Sequence, residues 1–223
     1  MRVLPFDAHN HIHMGPSPPL VAIGQGETTT RLGGCAIMST HPRDFARVLQ
    51  LSESLPLQAE HNEREEPLRV VPCFGIHPWW LSELTEEEWA PSSTQGDDDA
   101  EKPPKWLQQI ETLLKENPNS IVGEIGLDGF HFDPVTRELS CPMENQVHAF
   151  ELQMQLAARL QRPVSIHTVQ CFGPLMSALS RLKKRGQLPP RMYFHAFGGK
   201  VGTVDQVLAL CGRKMGQVYF GFA

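Results

Sequence analysis

Short apolar runs rich in β-branched residues recur along the chain, and Gly or Pro bounds most of them. Runs of this length and composition are typical of buried β-strands. The pattern predicts seven strands, near residues 3–7, 34–40, 69–77, 120–128, 163–169, 191–197 and 217–223. Stretches of helical composition separate several of them, at residues 42–54, 105–115, 144–161, 173–185 and 201–211.

Strands and helices that alternate in this way imply parallel strands joined by helical crossovers. Seven such strands favour an α/β fold of the TIM-like (β/α) barrel type over an open sheet. We expect one domain over residues 1–223, with polar, acidic surface loops at 57–67 and 91–104. For both loops we favour a solvated charge run over a docking or metal-binding role.

The formal charge of −5 shows no basic excess, so the sequence predicts no broad electrostatic surface for nucleic acid or an anionic membrane. A phosphate-bearing substrate would have to be held locally. The five cysteines are odd in number and scattered, which favours reduced thiols. There is no apolar signal region and no apolar run long enough to span a membrane. We therefore expect a cytoplasmic or nuclear protein.

Possible metal ligands follow the predicted strands. His9 and His11 are two residues apart, so on a strand their side chains point from the same face and can bind one ion together. In a parallel barrel the active site forms at the carboxyl ends of the strands. Those ends also carry further candidates, which are His77, Glu124, Asp128, His167 and His195.

Each candidate also has a structural explanation of its own. His9 and His11 could be solvated loop residues, and Glu124 could pair with a buried Arg or Lys. His167 and His195 could be core histidines bonded to the backbone. One metal centre explains all of these positions together, so we favour it. The remaining histidines share the pattern less clearly and are expected at the surface or behind the ligands: His13, His41, His61, His131 and His148.

Together these motifs resemble the TatD-type metal-dependent hydrolases, a family of amidohydrolase-like barrels. The resemblance runs in order from the first strand to the last residues. It is carried by Asp7-Ala8-His9-Asn10-His11, Gly75-Ile76-His77-Pro78, Gly123-Glu124-Ile125-Gly126-Leu127-Asp128, Ile166-His167 and His195-Ala196-Phe197-Gly198-Gly199. It implies one ion on His9 and His11, a Glu124 that bridges two ions, and a second ion on His167 and His195.

Two features depart from the family pattern. The family has an arginine soon after the fifth-strand histidine, whereas Thr168-Val169-Gln170 follows His167 here. The family's eighth strand ends in a metal-binding aspartate, whereas this sequence ends in what the pattern predicts as strand seven. Three explanations compete, namely an incomplete sequence, a real short form, or a protein partner that closes the barrel. We favour the first.

The leading hypothesis is hydrolysis of phosphodiester bonds in nucleic acid or small phosphoesters, as in TatD-type deoxyribonucleases. Two divalent ions, which could be zinc, manganese or magnesium, would activate water. Glu124, His77 and Asp128 are the expected catalytic residues, and Asp7 is expected to orient a ligand imidazole. Two alternatives stay open: a metal-dependent amide or lactone hydrolase, and a non-catalytic barrel that binds a protein partner.

Overall fold

The computed structural model describes residues 5–15, 32–60, 68–91, 102–212 and 217–222. Seven parallel strands form one curled sheet in which each strand pairs with the next along the chain, as predicted. The strands are β1 (Phe6–Asn10), β2 (Gly34–Met38), β3 (Arg69–Phe74), β4 (Ile121–Asp128), β5 (Val164–Val169), β6 (Met192–Phe194) and β7 (Val218–Phe220). Within the described part of the chain, β1 and β7 are the two edges of the sheet.

Among the residues described, six helices accompany the strands: α1 (Phe45–Glu60), α2 (Glu86–Trp89), α3 (Lys105–Glu116), α4 (Met143–Arg159), α5 (Phe172–Lys184) and α6 (Val201–Cys211). Short 3₁₀ turns add Ile12–Met14, Pro42–Asp44 and Pro78–Glu83. Large apolar side chains such as Phe74 of β3 and Phe150 of α4 are fully buried in one core between sheet and helices. None of the helices described is long and apolar enough to cross a bilayer.

The boundaries of several strands differ from the prediction. β2, β3 and β7 end before the predicted residues, and because β3 stops at Phe74, His77 lies after that strand. β1 runs on to Asn10, because its pairing with the buried strand β2 continues as far as Asn10 and Ile37. His9 therefore lies inside the strand instead of after its end, and residues 1–4 lie outside the described part. β6 stops at Phe194, since a turn follows in which Ala196 has a left-handed backbone with φ 44°.

The two predicted loops are only partly described. Helix α1 continues to Glu60, so the first four residues of the loop expected at 57–67 are helical instead. Residues 61–67 lie outside the described part of the chain, and so do residues 92–101 of the second loop. The ends of that second loop meet in an antiparallel bridge between Pro91 and Pro104.

Candidate metal centre

Glu124 of β4 lies in the middle of the candidate centre, surrounded by histidines. Its side chain is 2% exposed, and one of its carboxylate oxygens, Oε2, faces two imidazoles from the start of the chain. Oε2 lies 3.2 Å from Nε2 of His9 and 2.9 Å from Nε2 of His11. The same two nitrogens are 3.2 Å apart. These three side chains could hold one ion.

The second carboxylate oxygen of Glu124, Oε1, faces a separate set of imidazoles. It lies 3.5 Å from Nε2 of His77 and 3.2 Å from Nδ1 of His167, and it contacts Nε2 of His195. Glu124, His77 and His167 form a second group that could hold an ion. The predicted ligands are thus brought together, and His77 lies within the second group as well.

Neighbouring groups orient the imidazoles. Nδ1 of His11 donates to the Met38 carbonyl at 3.1 Å, which directs Nε2 toward Glu124. Nε2 of His167 donates to Oδ2 of Asp128 at 3.0 Å, which in the same way directs Nδ1 toward Glu124. Each hydrogen bond selects the tautomer that a ligand needs.

His9 is oriented by Ser165 of β5, whose Oγ lies 3.1 Å from Nδ1. The expectation for Asp7 was wrong. Its Oδ1 accepts a hydrogen bond from the backbone N–H of His9 at 3.1 Å and does not hold the imidazole. The physical reason is that β1 departs from regular pairing between Asp7 and Asn10, and the short aspartate there reaches the backbone N–H of His9.

Asp128 connects the centre to the loop that follows β4. In addition to His167, it accepts a hydrogen bond from Nε1 of Trp79 at 2.7 Å and from the backbone N–H groups of Phe130 and His131 at 2.7 and 2.9 Å. The sequence analysis missed Trp79. Trp79 directly follows the His77-Pro78 motif, and this position could have identified it.

Electrostatics keep the carboxylate charged. Burial raises the pKa of Glu124, but hydrogen bonds from four of the surrounding histidines outweigh burial and hold that pKa well below its usual range. Burial lowers the pKa of His77 to about 3, so its imidazole is neutral at pH 7. Burial also lowers the pKa of His167, yet its bonds to Asp128 and Glu124 outweigh this and raise it to about 9.

These residues fit a divalent ion. Only histidines form ion pairs with Glu124 in the part of the chain that the structure describes, so its expected alternative, a buried Arg or Lys partner, is not seen there. Imidazole nitrogens around a carboxylate are a donor set that divalent transition metals prefer. An ion would compete with the proton on His167, because an imidazole binds metal only when neutral.

The other histidines have separate roles. His13 is buried and its Nε2 lies 3.0 Å from Oδ2 of Asp44, whereas His41 accepts a hydrogen bond from the backbone N–H of Arg43. The rings of His131 and His148 stack on tryptophans, and His61 lies outside the described residues.

Comparisons with known proteins identify the family and support the fold. Residues 6–223 match the family model of the TatD related DNases. The fission yeast Cut9-interacting protein scn1 is 27% identical, over 92% of this chain and 74% of that protein. The mouse putative deoxyribonuclease TATDN3 is 30% identical, over 73% of this chain and 46% of that protein. The crystal structure of YjjV, a TatD homologue from Escherichia coli K12, superposes with a TM-score of 0.66 at 26% identity, over 92% of this chain and 65% of that one.

The family match covers nearly the whole chain and confirms the predicted family, the barrel-type fold and the enzyme class, a metal-dependent hydrolase. Relatives named as deoxyribonucleases favour a nuclease over the two alternatives. This chain spans about half of the mouse protein, so substrates and partners are treated below as proposals. The chain belongs to the TatD related DNase family.

Proposed function

We propose that this chain hydrolyses phosphodiester bonds in nucleic acid at a centre for two divalent ions built on Glu124. One observation carries the proposal: the two oxygens of the Glu124 carboxylate face two different groups of imidazoles. A carboxylate placed in this way can bind one ion through each oxygen. The family membership supplies the reaction class.

The residues divide between the two ions. His9, His11 and Oε2 of Glu124 would hold the first ion. Oε1 of Glu124 and His167 would hold the second, together with His195 and with His77 nearby. Ions of this kind lower the pKa of bound water and neutralise charge on phosphoryl oxygens. The nitrogen-rich set favours zinc or manganese, and magnesium is the third candidate.

The chain's own groups prepare the centre. Asp128 accepts a hydrogen bond from Nε2 of His167, so that Nδ1 stays directed at Glu124. The Ser165 hydroxyl fixes the ring of His9 in the same manner. The neutral imidazole of His77 faces the charged carboxylate, where it can orient a substrate oxygen. We therefore assign catalytic roles to Glu124, His77 and Asp128.

The test compares Glu124→Gln and His9→Ala with the unchanged protein on a single-stranded oligonucleotide, with manganese, zinc or magnesium added in turn. Both variants should lose at least about a hundredfold in rate. His148→Ala, whose ring stacks on Trp89, is the matched control and should keep its activity. Ester and lactone substrates are assayed in parallel. Unchanged nuclease activity in Glu124→Gln would refute the proposal.

Metal content gives an independent readout. Elemental analysis of the protein after loading and gel filtration should find two ions per chain and fewer in Glu124→Gln. A count of one in the unchanged protein would contradict the bridging role of Glu124.

Compartment and partners are also proposals. All five cysteines are free thiols, which supports a cytoplasmic or nuclear location. The aspartate expected at the end of an eighth strand has no counterpart among the seven strands described. A longer form of the protein or a partner chain could supply it. The intact mass of the protein purified from its source separates these: a mass well above 25.0 kDa indicates a longer form.

A further inference from the structure

The position of Trp79 is not explained by the hydrophobic core. Its side chain remains 40% exposed, and it directly follows the His77-Pro78 pair. Its indole nevertheless reaches toward the candidate centre, because Nε1 donates to Oδ2 of Asp128 at 2.7 Å. The same oxygen accepts from Nε2 of His167 at 3.0 Å. A residue with no metal-binding atom thus shares one carboxylate oxygen with a proposed ligand.

The Asp128 carboxylate is fully occupied by hydrogen-bond donors. Oδ1 accepts from the backbone N–H groups of Phe130 and His131 at 2.7 and 2.9 Å, and Oδ2 accepts from the two side chains. Burial raises the pKa of Asp128, but the hydrogen bonds from His167 and Trp79 outweigh burial and hold that pKa below its usual range. An ionised carboxylate only accepts, and donors on both oxygens fix its plane. The direction in which Asp128 holds His167 therefore depends in part on Trp79.

Trp79 also orients His77, through its backbone. The Trp79 N–H donates to Nδ1 of His77 at 3.2 Å. A neutral imidazole that accepts at Nδ1 carries its proton on Nε2, and this nitrogen faces Oε1 of Glu124 at 3.5 Å. The two N–H groups of one residue therefore act on both imidazoles of the second group, on His77 directly and on His167 through Asp128.

The ring contacts of Trp79 involve the same second group. Its ring centroid is 4.9 Å from that of His77 and 6.0 Å from that of His167, in both cases edge to face. Its face stacks on His131 at 4.4 Å, with an interplanar angle of 15°. Within the described part of the chain, no ring contact or hydrogen bond joins Trp79 to His9 or His11. Trp79 is thus tied to one of the two ion positions.

We propose that Trp79 is a positioning residue for the second ion, because its two N–H groups hold Asp128 and His77 in place beside that ion. The inference rests on the proposed two-ion centre and adds to it a residue that contributes no ligand atom. The first ion should not depend on Trp79, since the indole contacts only the second group of imidazoles. Loss of a group that orients a ligand weakens metal binding by about ten- to a hundredfold.

The test measures each ion separately. In His9→Ala/His11→Ala only the second ion keeps its full set of ligands, and in His167→Ala/His195→Ala only the first ion does. Trp79→Phe is then introduced into both backgrounds, because phenylalanine keeps an aromatic ring and lacks the indole N–H. Isothermal titration with zinc should find the affinity for the second ion weaker by about ten- to a hundredfold. The affinity for the first ion should stay within about twofold.

Trp80→Phe is the matched control in both backgrounds. Trp80 is the next residue along the chain, and its ring centroid lies 5.9 Å from the guanidinium carbon of Arg43. This variant should leave both affinities unchanged. A second measurement needs no change to the ligands. Equilibrium dialysis of Trp79→Phe against dilute zinc should find one ion per chain under conditions in which the unchanged protein holds two.

The outcomes separate this inference from the proposed function. An unchanged affinity for the second ion in Trp79→Phe overturns the positioning role. Equal losses for the two ions overturn it as well, because they would show that the indole only stabilises the fold. A single ion per chain in the unchanged protein overturns the two-ion centre and this inference with it.

Cleavage of an oligonucleotide with added ions is measured separately on the unchanged protein. Two bound ions and a selective loss of the second in Trp79→Phe, without any cleavage, would refute the nuclease and leave the role of Trp79 standing. Cleavage by the unchanged protein, without a selective loss in Trp79→Phe, would refute the positioning role alone.

Discussion

The buried side chain of Gln146 forms hydrogen bonds with both backbone groups of Asp128. Its Oε1 accepts from the Asp128 N–H at 2.8 Å, and its Nε2 donates to the Asp128 carbonyl at 3.0 Å. Gln153, two turns further along α4, bonds both backbone groups of Ile76 in the same way, at 2.8 and 3.3 Å. Helix α4 therefore holds β4 at Asp128 and the chain just before His77.

Replacing Gln146 by Ala should destabilise the protein by about 1–3 kcal/mol, because it leaves a buried N–H and a buried carbonyl without their partner. The measurement is the free energy of unfolding in urea. Gln155→Ala, a half-buried glutamine on the same helix, is the control and should cost much less. Equal losses in the two variants would show that the pairing of Gln146 with Asp128 contributes nothing of its own.

Removing the Ser165 hydroxyl should weaken metal binding by about ten- to a hundredfold, because His9 loses the group that orients its ring. Isothermal titration with zinc measures this for Ser165→Ala. Thr168→Val removes a buried hydroxyl from the same strand that has no hydrogen-bond partner among the described residues, and it should leave the affinity unchanged. A similar loss in both variants would argue against the orienting role.

Gly126 cannot carry a side chain at its position. Its φ of 151° is one that other residues rarely adopt, and a Cβ there would collide with the backbone of His167. Gly126→Ala should therefore lower the free energy of unfolding by at least about 1–3 kcal/mol and reduce the metal content. Gly202→Ala, in helix α6 with open space around it, should instead gain up to about 1 kcal/mol. The melting temperatures of both variants test this prediction. An unchanged melting temperature for Gly126→Ala would contradict the structure.

The Glu111 carboxylate should make the stability depend on pH below neutrality. It accepts hydrogen bonds from Arg159 at 2.9 and 2.7 Å, and these bonds lower the pKa of Glu111 from 4.5 to about 2. Because the folded-state pKa is depressed, this stabilisation is fully present above pH 4.5 and is lost as the pH falls toward 2.

Glu111→Gln should accordingly lower the free energy of unfolding by up to about 1 kcal/mol at pH 7 and by less near pH 2. Urea denaturation at a series of pH values measures this, with Glu116→Gln, an exposed carboxylate on the same helix, as the control. If the free energy of unfolding changed with pH equally in Glu111→Gln and in the unchanged protein, Glu111 would not be the source of the pH dependence.

The sequence predicted which side chains meet around Glu124, because the signal of these candidate ligands is local. An ionisable residue that ends an apolar run, such as Glu124 or His167, is costly to bury without a partner, and parallel strands bring their ends to one edge. The supporting residues were not predictable in this way. Ser165 looks like any small strand residue, and its bond to His9 depends on how far the sheet curls between β1 and β5.

The two glutamines of α4 show a second limit. The spacing of Gln146 and Gln153 places both on one helix face, but a polar residue on a helix is ordinarily assigned to the solvent side. Their burial follows from strand ends whose backbone groups lack a neighbouring strand to bond with. The extension of β1 to Asn10 was missed for a related reason, because pairing with β2, and not local composition, determines where the strand ends.

The rings of His9 and His195 stack at 3.7 Å, although one belongs to the first strand and the other follows the sixth. Nearly the whole chain is therefore a loop closed at this contact. Closing this loop carries an entropic cost, and ions held on the two sides of Glu124 would link its two ends through that carboxylate and resist reopening. Ions bound at the centre would therefore slow the separation of the first strand from the rest of the sheet.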